Sequence, residues 1–184
     1  MASSSPRRRE LLSKLGIQFD VVEPRVKEFH ESDPEKTVKK MALVKAKEVF
    51  GRFNKEDLVV IGSDTLVSLE SNILGKPKDA EEAKKFLEKL SGNWHEVFTA
   101  VSFVHAHGQE TFVSKTKVKF RNLSKELIEF YVSKFKPLDK AGAYGIQDFG
   151  AVFIEKIEGD FYTVMGFPLG IVWEYLYKKG WWNP

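Results

Sequence analysis

The sequence predicts an α/β protein, and three stretches carry that expectation. Residues 58–62 (Leu-Val-Val-Ile-Gly) form a continuous apolar run, the pattern of a strand covered on both faces. Residues 80–90 place Ala83, Phe86, Leu87 and Leu90 on one stripe of an otherwise charged helix, with Asp79 as its N-cap. Residues 111–120 alternate, with Lys115, Lys117 and Lys119 set between Thr116, Val118 and Phe120, as a strand with one wet face does. At 184 residues the chain is long enough for one substantial domain, or for two lobes sharing a sheet.

The elements follow in order. Ser5 is a good N-cap, and Pro6 suits the first helical position because its missing N–H would be unpaired there. The free N–H groups and the positive end of the helix dipole face whatever lies ahead of Ser5, so this helix start is suited to an anion. Leu11, Leu12 and Leu15 face inward. Arg7 and Arg8 lie one turn back from Leu11 and Leu12 and share that side, while Arg9 points to water. Two arginines inward of a helix N-terminus suggest a phosphate site. Gly16 ends the helix, residues 19–22 read as a short strand, and 24–32 as a polar loop with Glu28, His30 and Glu31. A second helix starts at Asp33-Pro34-Glu35 and runs to about Phe50, burying Val38, Met41, Ala42, Ala46 and Val49. Lys45 sits inside that apolar stripe, either snorkelling to the surface or held there for a task.

The apolar run at 58–62 leads straight into Ser63-Asp64-Thr65 and resumes with Leu66-Val67. An aspartate in a buried strand is expensive unless paired, so Asp64 either bonds a nearby backbone turn or serves as metal ligand or general base. Ser71-Asn72 marks a hairpin turn, followed by Gly75-Lys76-Pro77. After the helix at 80–90 come strands at 96–104 and 111–120, turning around His107-Gly108, and a helix at 124–134 capped by Ser124. Residues 139–150 carry three glycines with aromatics between them, which fits either a loop against a ligand or a structural crossing. Residues 152–157 and 161–165 read as a hairpin around Gly159-Asp160. Gly166-Phe167-Pro168 opens a last helix.

Composition narrows the function classes. The net charge of +3 is mild and favours anionic ligands without the basic stripe of a nucleic-acid binder. There is no cysteine, so disulfides and thiolate chemistry are excluded. No apolar run approaches a membrane span, and the expected setting is a cytoplasmic monomer or small oligomer without nucleic-acid or membrane partners. The four histidines show no convincing metal-ligand spacing beyond His105 and His107, which share one strand face.

The motifs resemble those of the Maf family of nucleotide pyrophosphatases. The similarity begins with Ala2-Ser3-Ser4-Ser5-Pro6-Arg7-Arg8 and Glu10-Leu11-Leu12. It continues through Lys45-Ala46-Lys47, Gly62-Ser63-Asp64-Thr65, Gly75-Lys76-Pro77 and Leu90-Ser91-Gly92, and ends with the segment from Asp139 to Gln147 and Gly166-Phe167-Pro168-Leu169. The resemblance implies an ITPase-like α/β fold: one domain over 1–184, a long mixed β-sheet flanked by helices, and two lobes with the active-site cleft between them. It implies metal-dependent cleavage between the α- and β-phosphates of a nucleoside triphosphate, with Mg2+ or Mn2+ as the divalent cation. A homodimer is the assembly the family suggests.

Roles carried over from the family are Ser3, Ser5, Arg8, Lys45 and Lys76 for substrate phosphates, Asp64 as the catalytic carboxylate, and Asp64 with Glu28 as metal ligands. Lys27-Glu28 stands where the family often has an acidic pair, and Glu31 is the rival to Glu28. Only Met1 precedes Ala2 where the family has a longer apolar run, so either the first strand is shortened or the chain start is truncated. The family's dTTP/UTP branch has arginine, threonine and glutamine where this chain has Arg7, Thr65 and Gln147, whereas its 7-methyl-GTP branch has tryptophan, glutamine and glutamate. The resemblance thus implies a dTTP/UTP pyrophosphatase, with modified pyrimidine nucleotides as further substrates. The alternative is a nucleotide-binding regulator of septum formation that does not depend on turnover.

Overall fold

The computed structural model describes residues 1–29, 31–53 and 55–183. Its elements are α1 (Pro6–Ser13), α2 (Pro34–Phe53), β1 (Val60–Leu69), β2 (Asn72–Leu74), α3 (Ala80–Leu90), β3 (Trp94–His105), β4 (Gly108–Phe120), α4 (Lys125–Phe135), β5 (Ile154–Glu158), α5 (Phe161–Met165) and α6 (Leu169–Lys178). Single 3-10 turns at Ala141–Ala143 and Phe149–Phe153 lie in the glycine-rich stretch.

The five strands form one sheet in the order β2-β1-β3-β4-β5, and every pair in it is antiparallel. The parallel element of the expected mixed sheet is confined to Ala2, which bridges both Val22 and Gly62. The expected strand at 19–22 reduces to that single bridge at Val22, because the segment it pairs with turns into α1 at Pro6. The apolar run at 58–62 and its continuation past Asp64 make one ten-residue strand, β1. The β1–β2 turn falls on Glu70-Ser71, one residue earlier than expected, and both residues take positive φ (48° and 68°), the twist a two-residue hairpin requires.

Residues 161–165 are the main correction. They form α5 rather than the second arm of a hairpin, and β5 pairs with β4 instead. Asp160 decides this locally, since its carboxylate accepts from the N–H groups of Tyr162 and Thr163 and so caps a helix. α5 then ends on Gly166 in the left-handed region (φ 98°). α2 also runs past Gly51 to Phe53.

Alternation along β1 divides the core. Gly62, Asp64 and Leu66 face α2, where Leu66 packs with Val38 and Ala42. Ile61 points the other way, into the cluster with Leu11, Leu12, Val101, Phe103, Phe167 and Val172 that joins α1 and α6 to the sheet. Thr65, two pleats along, shares that second face. On its outer side β1 meets Ala2 at Gly62 and β2 only from Val67 onward. Between these points no strand covers it among the described residues, so the sheet edge carries a notch at residues 63–66.

Candidate active site

A cleft of about 480 Å³ opens at that notch, a size typical of small-molecule sites. Ser3, Ser5, Arg7, Arg8, Glu28, Lys45, Asp64, Thr65, Lys76 and Gln147 all line it. One fold therefore gathers every residue the motifs single out, from six separate stretches of chain.

The floor is an ion-pair cluster. Lys45 projects from α2 between the buried Met41 and Val49, and it does not snorkel: only 8% of it is exposed. Its Nζ lies 2.6 Å from Asp64 Oδ1 and 3.5 Å from Glu28 Oε1. Lys76 Nζ lies 3.2 Å from the same Glu28 oxygen. Burial pushes the Glu28 carboxyl up, but the charges and hydrogen bonds of Lys45 and Lys76 outweigh it and hold Glu28 below its ordinary value. Glu31 is not a member, since it pairs with Lys40 at 2.8 Å. Asp64, from a strand, and Glu28, from a loop, both reach the Lys45 ammonium, which brings the two carboxylates close together in the cleft. That donor set suits magnesium, which commonly takes one or two carboxylates and fills its shell with water and substrate oxygens. Among the described residues no group of three His, Cys, Asp or Glu could hold a metal. His30 lies outside the described residues.

The chain start forms the opposite wall. Ser5 caps α1, accepting from the Arg8 N–H at 3.5 Å, and Ser3 Oγ accepts from the Ser5 N–H at 3.2 Å. The side chains divide as the periodicity predicts: Arg7 and Arg8 are half-buried and Arg9 is exposed. Arg8 is tied into the wall. Its Nε donates to the Gly166 carbonyl (2.9 Å), Nη1 to the Ser63 carbonyl (2.8 Å) and Ser3 Oγ (3.5 Å), and Nη2 to Thr65 Oγ1 (3.0 Å). Burial lowers the Arg8 pKa from its ordinary value, against the pull of Asp64. Arg7 instead reaches the rim, where Nη1 meets Asp139 Oδ2 at 3.0 Å. Lys140 lies between Asp139 (2.9 Å) and Asp148 (3.6 Å). Burial raises Asp139, but Lys140 and Arg7 together hold it below the ordinary carboxylate value. Gln147 is exposed at the same rim.

The motifs assign no individual role to several groups of the cleft. Asp139 and Lys140 stood inside a motif, but their partners came only with the fold. The Gly166 carbonyl is a backbone group with no sequence signature. Tyr144 lines the cleft, and its hydroxyl meets His95 Nε2 at 2.8 Å beneath it. His95 is 2% exposed, and burial pushes its ring down to about 3, against a smaller upward pull from the backbone of Asn93. In the fold the ring stays neutral where the unfolded chain takes up a proton. Its stabilisation is therefore complete above the unfolded value near 6.5 and is lost as pH falls from there towards 3. Between pH 7 and pH 5 the expected loss is about 2 kcal/mol. Urea midpoints at the two pH values should show that fall in the wild type and a flatter slope in His95→Gln. Equal slopes would place the effect elsewhere.

The Maf-like protein family profile matches residues 1–179. A Thermotoga maritima protein described as dTTP/UTP pyrophosphatase is 59% identical over 183 residues, covering 100% of this chain and 90% of its own. Proteins with the same description from Thermosipho melanesiensis (48% identity, covering 97% of this chain and 96% of that one) and Aquifex aeolicus (50%, covering 92% and 88%) are also similar. Among solved structures, the Staphylococcus aureus Ham1 protein aligns over 65% of this chain and 69% of that one, with a TM-score of 0.48 and 16% identity, too distant to carry weight.

Proposed function

The chain belongs to the Maf-like family, and from that premise we propose that it is a nucleoside triphosphate pyrophosphatase acting on dTTP and UTP, working as a single domain over 1–184. The observation that carries the reading is the meeting of Lys45 and Lys76 with Asp64 and Glu28 in one cleft, opposite the N-terminus of α1. A triphosphate is a polyanion, and phosphoryl transfer is catalysed mainly by positioning and by charge stabilisation. Ser3, Ser5, Arg8, Lys45, Lys76 and the free N–H groups of α1 hold the phosphates, and Arg8 also ties that wall to the sheet. Asp64 accepts the proton of the attacking water. The water oxygen then bonds to phosphorus, the bridging P–O bond between the α- and β-phosphates breaks, and its electron pair leaves on pyrophosphate. Asp64 and Glu28 would also hold a divalent cation, Mg2+ or Mn2+, which supplies further charge neutralisation when bound. The cytoplasm, where free nucleoside triphosphates reside, and a homodimer are the setting proposed with it.

Arg7, Thr65 and Gln147 form the base-distinguishing set. An amide both donates and accepts, which matches the imide edge of thymine or uracil. The test is a panel of nucleoside triphosphates with Mg2+ or Mn2+, assayed for pyrophosphate, with dTTP and UTP expected as the preferred substrates. Modified pyrimidine triphosphates belong on the same panel. Absence of dTTP and UTP hydrolysis would overturn the assignment. Exchanging Gln147 for Glu removes the amide donors while leaving the floor of the cleft untouched. That change should lower kcat/KM for dTTP and UTP about 10-fold or more, in line with the loss of one or two base hydrogen bonds. An unchanged ratio would mean the base is read by other residues.

A further inference from the structure

Beneath the phosphate wall runs a row of hydroxyl side chains, of which only Thr65 carries a role in the reading above. Thr65 and Thr99 are directly opposed in the β1–β3 register, and Thr99 is opposed in turn by Ser114 on β4. Thr99 is fully buried. Its Oγ1 lies 2.7 Å from the carbonyl of Thr163 in α5. A carbonyl only accepts, so Thr99 is the donor there, and its one hydroxyl proton is used. In the 3.0 Å contact between Thr65 Oγ1 and Thr99 Oγ1, Thr65 must then be the donor. The other acceptor within reach of Thr65, the Gly166 carbonyl, is farther at 3.4 Å. Thr65 Oγ1 in turn accepts from Arg8 Nη2 at 3.0 Å. The directions therefore follow from the chemistry of the last acceptor: Arg8 donates to Thr65, Thr65 to Thr99, and Thr99 to the Thr163 carbonyl.

We propose that Thr99 is a positioning residue of the active site, which orients the Thr65 hydroxyl so that its lone pairs face Arg8 and so holds the Arg8 guanidinium in the cleft wall. It follows that Thr65 offers no proton to a bound base and influences recognition through Arg8. The chain is anchored at its far end. Asp160 Oδ2, which caps α5, also accepts from the Thr163 hydroxyl at 2.7 Å, so the carbonyl that ends the relay belongs to a fixed turn. Without Thr99 Oγ1, the Thr65 hydroxyl is free to turn its proton towards the Gly166 carbonyl. That carbonyl already accepts from Arg8 Nε and from Ser63 Oγ (3.3 Å), so a third donor competes for its two lone pairs. The consequence for turnover rests on the pyrophosphatase reading, whereas the order of Arg8 does not.

The test compares Thr99→Val, which keeps shape and removes the hydroxyl, with Thr99→Ser, which keeps the hydroxyl. Nitrogen-15 NMR of the guanidinium groups reads the Arg8 side chain directly in the nucleotide-free protein. Slow rotation and slow solvent exchange at Arg8 are expected in wild type and Thr99→Ser, and averaged signals in Thr99→Val. Steady-state pyrophosphate release should show kcat/KM for dTTP falling roughly 10-fold in Thr99→Val and recovering to within about 3-fold of wild type in Thr99→Ser. The double variant with Thr65→Val should be no worse than the poorer single variant, because both interrupt one chain. Unchanged Arg8 signals in a folded Thr99→Val would overturn the proposal, as would equal losses in Val and Ser or additive losses in the double variant. A wild type with ordered Arg8 signals but no pyrophosphate release would overturn the enzymatic reading and leave the positioning of Arg8 standing.

Discussion

Asp64→Asn is expected to lower kcat for dTTP hydrolysis by about 10²- to 10⁴-fold, the range associated with losing a positioned general base. The change keeps the shape of the side chain and removes its charge and basicity. Lys45 Nζ loses the charge of its partner at 2.6 Å, though the amide oxygen can still accept, and retains Glu28 at 3.5 Å, so the ammonium is left partly compensated. Breaking a buried pair outright costs about 3–5 kcal/mol, and the remaining carboxylate should keep the loss below that range. Nucleotide affinity should hold or rise, because a negative charge has left the phosphate end of the cleft. Kinetics read beside calorimetric binding and a melting curve separate these effects. Full activity in a folded Asp64→Asn would remove Asp64 from the chemistry.

Gly62→Ala should damage the fold itself. A Cβ at Gly62 would sit 2.4 Å from the Ala42 carbonyl oxygen and 2.8 Å from the Ala46 nitrogen, both backbone atoms of α2. Backbone cannot swing aside as a flexible side chain can, so β1 and α2 must separate. Overpacking of this kind typically costs about 1–3 kcal/mol, and contacts this short favour the upper end or beyond. The same displacement draws Lys45 away from Asp64, so activity should fall together with stability. Gly51→Ala is the matched control. Gly51 lies inside α2 with nothing within 4 Å of a would-be Cβ. Alanine there should raise stability by about 0.5–1 kcal/mol, since glycine is the poorer helix former. Urea midpoints decide both cases, and a neutral Gly62→Ala would mean that the close approach of α2 to β1 is not needed.

Much of this architecture was legible because it is written in local chemistry. Ser5-Pro6, Asp79 and Ser124 each start the helix that the capping rules assign them. The helix at 80–90 and the alternating strand through Phe120 follow from periodicity alone. The 161–165 segment misled because its aromatic and β-branched residues suit a strand, while the single carboxylate of Asp160 caps it as a helix. The site was legible as a set of residues through the motifs, and the apolar stripe around Lys45 and the buried position of Asp64 pointed to each other only by chemistry. Their 2.6 Å contact requires α2 to lie on the even-numbered face of β1, which is a matter of tertiary packing. Thr99 was illegible for a similar reason. Its partner Thr65 is 34 residues away and becomes its neighbour only through the strand register.

Asp64 and Thr65 are adjacent in sequence, yet they look out from opposite sides of the sheet. Asp64, with Lys45 and Glu28, lies on the α2 side, while Arg8, Thr65 and the α1 wall lie on the other. The peptide between residues 64 and 65 is thus a partition between two modules that meet only in the notch. On the proposed assignment of roles, substitutions around Thr65 that retune which nucleotide is accepted can accumulate on one side of this partition, away from the ion pairs of Lys45 with Asp64 and Glu28 on the other. A lineage built on this plan can exchange its substrate while inheriting its chemistry unchanged.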